Sequence, residues 1–139
     1  MTRSTMVLGT LALAITAVAA TAPSAYAQKA HVIRMDGSAE QEEYSFSPGT
    51  VTAKPGDVLV FRVAGGGNHG VAFEAGLPPA ARAALNGAMP RRVGDLSGPM
   101  LARGAEYRIV IPSAMPKGRY RFFCLPHRAY DEVGFLVIE

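Results

Sequence analysis

Between Val58 and Val63 the chain reads VLVFRV, and Leu59, Phe61 and Val63 alternate with Val60 and Arg62. Alternation with period two, in a β-branched run, predicts a strand with one face more apolar than the other. EYRIVI (106–111) has the same character. So does GRYRFFC (118–124), in which Arg119, Arg121 and Phe123 oppose Tyr120, Phe122 and Cys124. HVIRM (31–35) and VGFLVIE (133–139) are further short apolar runs. Pro55-Gly56, Pro112, Pro116 and Gly118 fall between the runs and mark turns. One stretch departs from this pattern. PPAARAALNGAMP (78–90) is alanine-rich between prolines and predicts a short helix that begins near Pro79 and stops at Gly87. Short strands separated by turns, with one small helical insertion, point to an all-β chain folded as an antiparallel sandwich.

The first residues belong to a different class. Residues 1–27 begin with Arg3, run through an apolar segment from Met6 to Ala20 and end in Ala25-Tyr26-Ala27. A basic start, an apolar middle and a small-x-small site predict a secretory signal peptide, with residues 28–139 as the mature domain. The apolar run is short for a membrane span and carries Thr10 and Thr16. The domain is therefore expected in the periplasm or outside the cell, and not to span a membrane after cleavage. Removing the leader takes away only Arg3, so 13 basic residues face 11 acidic ones. Arg82, Arg91 and Arg92 form at most a small basic patch, and no basic-aromatic stripe points to nucleic acid.

That location makes the cysteine count informative. The chain has one cysteine, Cys124, so no internal disulfide can form. An unpaired thiol in an oxidising compartment is reactive unless something occupies it, and a metal is the simplest occupant. His127 follows three residues later, and thiolate with neutral imidazole suits copper or zinc. Pro126 stiffens the loop between them. A third ligand must come from elsewhere, and only His31 and His69 are available. His69 lies in GGGNHGVAFE just after the 58–63 strand, where three glycines suggest a close backbone path. Taken singly, Cys124 could be a buried small hydrophobe and His69 a loop histidine bonded to backbone.

Several segments together carry a resemblance. A strand ending in Phe-Cys-Leu-Pro-His, a short loop, then Val-Gly and a last apolar strand is one part of it. KPGDVLVFRV (54–63), NHGVAFEAGLP (68–78) and YRIVIPSAMPKGRYRFFCLPH (107–127) are the others. Over about residues 30 to 139 the chain resembles the cupredoxins, the small blue copper proteins, and most closely their plastocyanin and pseudoazurin branch. The resemblance implies a Greek-key β-sandwich holding one copper ion, with His69, Cys124 and His127 as its three strong ligands. His31 falls on no ligand position.

Two positions depart from the family pattern. The axial position, five residues beyond the second histidine, usually holds methionine and here holds Glu132. Glu132 is expected to bind or closely face the copper, and a carboxylate oxygen favours Cu(II) over Cu(I). Shifting the loop by one residue would offer Asp131 instead. Other readings are that Glu132 faces water and three ligands hold the copper, or that the site prefers zinc or has lost its metal. The family also commonly has asparagine directly after the first histidine, with a side chain that ties the two ligand loops together. Here Asn68 precedes His69 and Gly70 follows it, so that tie is expected to be absent or rerouted.

By resemblance the protein is an electron carrier, not an enzyme. Single electrons would pass between redox partners as copper cycles between Cu(I) and Cu(II). The His127 edge would be the exit, ringed by Leu77, Leu125, Pro126 and Ala129 as an apolar docking patch. A cytochrome or a membrane redox complex is the implied partner, and the carrier itself is expected to be a monomer. A copper carrier or buffer without an electron-transfer role is the competing class, and small-molecule catalysis at an open copper position is a third.

Overall fold

The computed structural model describes residues 27–139. The leader assigned to residues 1–27 therefore lies almost wholly outside the described residues. Two four-stranded sheets face each other. One has the order β2 (Glu43–Ser47), β1 (Ala30–Ser38), β4 (Val58–Val63) and β6 (Glu106–Val110). The other has the order β3 (Thr50–Ala53), β8 (Val133–Ile138), β7 (Gly118–Phe123) and β5 (Ala72–Phe73).

The sandwich is not purely antiparallel. β1 runs parallel to β4, and β3 runs parallel to β8. The chain leaves the first sheet after β2, lays β3 on the second sheet and returns with β4. A strand that returns after such a crossing lies parallel to the one it flanks, and alternation within a single strand carries no record of that.

The alternating residues do face inward as pairs. Leu59, Phe61 and Val63 on β4, Tyr107 and Ile109 on β6, and Tyr120 and Phe122 on β7 are all buried. At the centre, the Phe122 ring meets Phe46 edge-on at 4.9 Å and Phe61 at 5.3 Å. Truncating a buried aromatic of this kind typically costs about 3–5 kcal/mol. The helix α1 (Pro79–Ala88) adds Ala81 and Leu85 to the same core. It runs one residue past Gly87 and ends with Met89 extended, because the residue before Pro90 is pushed out of the helical region. Gly87 only weakens the helix.

His31 lies at the edge of the sandwich where β1 begins. Its Nε2 is 2.9 Å from Asp57 Oδ2, and the backbone N–H groups of Lys29 and Lys54 donate to the same carboxylate at 3.2 and 3.1 Å. The His31 bond, with the two N–H donors, outweighs partial burial and holds the Asp57 carboxyl below its ordinary value. A carboxyl depressed on folding stabilises the fold above its unfolded pKa, and that contribution is lost as pH falls through the folded value. Asp57→Asn should therefore lose about 1–2 kcal/mol in urea melts at pH 7 and lose progressively less in acid. A constant deficit across both limbs would show that the ionised carboxylate is not the stabilising form.

Candidate metal centre

The centre is built by the β7–β8 hairpin and the segment after β4. In the hairpin ladder Phe123 pairs with Val133, so the next pair outward is Cys124 with Glu132. The Cys124 N–H donates to the Glu132 carbonyl at 3.0 Å and closes that pair. The loop between them folds on itself. The His127 N–H donates to Cys124 O at 3.2 Å, and the Tyr130 N–H to His127 O at 2.9 Å, around a short 3-10 turn at Arg128–Tyr130. Asp131 then takes the left-handed conformation, with φ 55°, and is exposed. That turn aims Glu132 inward and Asp131 outward, which removes Asp131 as the carboxylate of the site.

His69 arrives from the other side. It exchanges two backbone hydrogen bonds with Leu101, at 3.0 and 2.8 Å, so a second segment fixes its position. The glycines before it allow a tight approach. Gly66 has φ +77°, and a Cβ there would stand 2.8 Å from the backbone nitrogen of Gly37.

The four side chains converge. His69 Nδ1 lies 2.8 Å from Glu132 Oε1, and His127 Nδ1 lies 2.7 Å from Glu132 Oε2. Cys124 Sγ is 3.8 Å from His69 Nδ1 and 3.5 Å from His127 Nδ1. His69, Cys124 and Glu132 are 0% exposed, whereas His127 keeps 8%. The His69 Nε2–H donates to the Gly65 carbonyl at 2.7 Å, which orients the ring and leaves Nδ1 facing the centre. The loop tie expected from an asparagine is rerouted through the backbone: the Gly70 N–H donates to Cys124 Sγ at 3.3 Å. His31 takes no part in this group.

Charge follows from the geometry. Burial pushes the His69 imidazole down, but the hydrogen bond and charge of Glu132, with the Gly65 carbonyl and Asp36, outweigh it, so the ring ends above its ordinary value. A protonated His69 can donate from both ring nitrogens, which matches its two acceptors. Burial pushes the Cys124 thiol up to about 12; the Gly70 N–H offsets part of this and the Glu132 carboxylate adds to it.

The donor set suits a metal ion. Each residue offers one ligand atom, and these atoms all lie within 4.8 Å of one another. Two imidazole nitrogens, a thiol sulfur and a carboxylate oxygen suit copper or zinc. At the bond lengths zinc shows, about 2.3 Å to sulfur and 2.0–2.1 Å to nitrogen, two donors of a tetrahedral centre stand roughly 3.6 Å apart. The two Sγ–Nδ1 distances bracket that separation. The two histidine–carboxylate distances are hydrogen-bond lengths.

Leu125, 56% exposed, and the exposed Pro126 and Ala129 flank His127 on its own loop, and Met100, 52% exposed, lies beside Gly70. Leu77 instead packs half-buried against the core. Sequence reasoning missed Met100 here, and it missed Tyr44, whose ring stacks on His127. Arg128, next to His127 in the chain, spans the Phe123 ring and the Glu74 carboxylate.

The family description "Copper binding proteins, plastocyanin/azurin family" matches residues 33–139. Plastocyanin from Vicia faba is 30% identical over 95 residues, which is 68% of this chain and 88% of the relative. Plastocyanin from Rumex obtusifolius matches to the same extent. Among solved structures, the oxidised plastocyanin of Dryopteris crassirhizoma superimposes with a TM-score of 0.59 at 22% identity, covering 78% of this chain and all of that one. A reduced amicyanin variant gives 0.53 at 21% identity, covering 84% of this chain and 88% of its own.

A buried neutral thiol should be inert. Iodoacetamide should alkylate Cys124 in the folded metal-free protein at least about a hundredfold more slowly than in urea at the same pH, because only thiolate reacts. Similar rates in both states would contradict the burial and charge assigned to it.

Proposed function

Because the chain belongs to the plastocyanin/azurin family of copper-binding proteins, with copper as its cofactor, we propose that it carries single electrons between redox partners. The observation that carries this reading is the asymmetry of burial: three donor side chains are sealed from water and the fourth, His127, reaches the surface. In this reading His69, Cys124, His127 and Glu132 hold the ion. Bound there, copper supplies a one-electron couple.

The remaining work falls to the chain. The sandwich end excludes water from His69, Cys124 and Glu132. The Gly70 N–H, aimed at Cys124 Sγ, stabilises negative charge on sulfur once the thiol proton has left. The Glu132 carboxylate adds a buried negative charge beside both imidazoles and favours the more positive ion. His127 offers the short path to a partner. Leu125, Pro126 and Ala129 flank it on its own loop with exposed apolar surface suited to brief, weak docking. A cytochrome or a membrane redox complex fits such a surface. The chain works as a monomer in the periplasm or outside the cell, with residues 28–139 as the mature domain. The leader pattern of residues 1–27 supports that placement, and among the described residues no helix is long and apolar enough to cross a membrane.

Cys124→Ser should abolish the intense thiolate-to-copper visible absorption while leaving the fold intact, since a hydroxyl cannot supply that covalency. Survival of the band would end the copper-thiolate reading. Glu132→Met should raise the reduction potential by at least about 59 mV, the one-electron equivalent of a tenfold shift towards Cu(I). An unchanged potential would make Glu132 a bystander. A slow or irreversible couple in the parent protein would favour a copper buffer over an electron carrier.

A further inference from the structure

β2 brings a fifth side chain to the centre. Tyr44 and Phe46 share one face of that strand, because residues two apart point the same way. Phe46 is buried against Phe61 and Phe122. Tyr44, one pleat closer to the metal end, lies flat on the His127 imidazole, with ring centroids 3.6 Å apart and planes 12° from parallel. Tyr130 tilts against the Tyr44 ring at 5.2 Å.

The space for that ring is built into the fold. Gly37 is the cross-strand partner of Tyr44. A Cβ on Gly37 would stand 2.4 Å from Tyr44 Cδ1 and 2.6 Å from the Glu43 carbonyl oxygen. Gly66 packs against Gly37 in turn, as described above. Two adjacent positions without side chains thus let the tyrosine lie down on the imidazole instead of standing off it.

His127 is the donor with the greatest need of support. His69 is held at both ring nitrogens, and Cys124 is held by the Gly70 N–H and by its place in the ladder. The His127 ring sits on a turn at the surface, and its polar contacts, with Glu132 Oε2 and Cys124 Sγ, are both made at Nδ1. A metal at Nδ1 would replace them. The stack would remain, and an electron-poor imidazole is drawn to the negative face of a tyrosine ring.

We propose that Tyr44 is a positioning residue of the copper centre, holding the His127 imidazole in its donor orientation with or without metal and in either oxidation state. This rests on the reading that His127 is a copper donor. The consequence is a ligand ring that need not reorient when the electron moves.

The test compares Tyr44→Phe, which keeps the ring, with Tyr44→Leu and Tyr44→Thr, which remove it. In the metal-free protein the His127 ring-proton resonances should be narrow and shifted upfield in the parent and in Tyr44→Phe. They should lose that shift and broaden in both ringless variants. In the copper-loaded protein, self-exchange should slow by about two- to tenfold in the ringless variants, the population equivalent of one aromatic pair, and recover in Tyr44→Phe. Tyr44→Thr, a good strand former, serves where Tyr44→Leu does not fold. Parent-like His127 resonances and self-exchange in a folded ringless variant would overturn the proposal while the copper site stands. If the parent shows no copper–thiolate band, the copper reading fails instead, and the metal-free resonances still decide whether Tyr44 orients His127.

Discussion

Glu132 is wholly buried, and its two carboxylate oxygens each face the Nδ1 of a different imidazole. Burying a carboxylate costs several kcal/mol unless charge and hydrogen bonds compensate it. Here both imidazoles supply hydrogen-bond partners, and the bond and charge of Glu132 raise the proton affinity of the His69 ring against its burial. The arrangement of the metal end follows from that requirement. The hairpin register places Glu132 opposite Cys124, the turn at Asp131 aims it inward, and the Leu101 bridge holds His69 against it. The carboxylate thereby joins two imidazoles that face one point.

A site assembled in this way suits a one-electron carrier. Rearrangement of ligands slows electron transfer, and each donor here is held by something other than the metal. His69 has Gly65, Cys124 has Gly70, His127 has the Tyr44 ring, and Glu132 has its ladder pairing with Cys124. Burial also separates the roles of the two histidines. His69 is an interior strut, whereas His127 reaches the surface, bordered by exposed Leu125 on the loop it shares. The same carboxylate sets the electrical character of the centre, adding negative charge where a thioether would add none.

The strands that form the core were legible because their alternation is strong. Residues 58–63, 106–111 and 118–124 fall within a residue of β4, β6 and β7. β2, β3 and β5 were not read as strands. Glu43–Ser47 is short and opens on the last of three glutamates in four positions, Thr50–Ala53 reads as the approach to a turn, and Ala72–Phe73 has only two residues. Parallel pairing of β1 with β4 is a property of chain path, which local pattern does not encode. Cys-x-x-His spacing and the position of Glu132 marked three of the four side chains that converge here, and resemblance singled out His69 over His31. Tyr44 was not legible. It meets His127 only through the register of β1 with β2 and the absence of a side chain at Gly37, neither of which leaves a mark near residue 127.

The central claim is that these four side chains form a preassembled copper site. A crystal structure of the Cu(II)-loaded protein, compared with one of the metal-free protein, tests it most directly. One copper ion is expected among His69 Nδ1, Cys124 Sγ, His127 Nδ1 and the Glu132 carboxylate, with the donor atoms displaced by no more than about 0.5 Å between the two structures. Copper bound elsewhere, or Glu132 swung out to solvent when the ion enters, would contradict it.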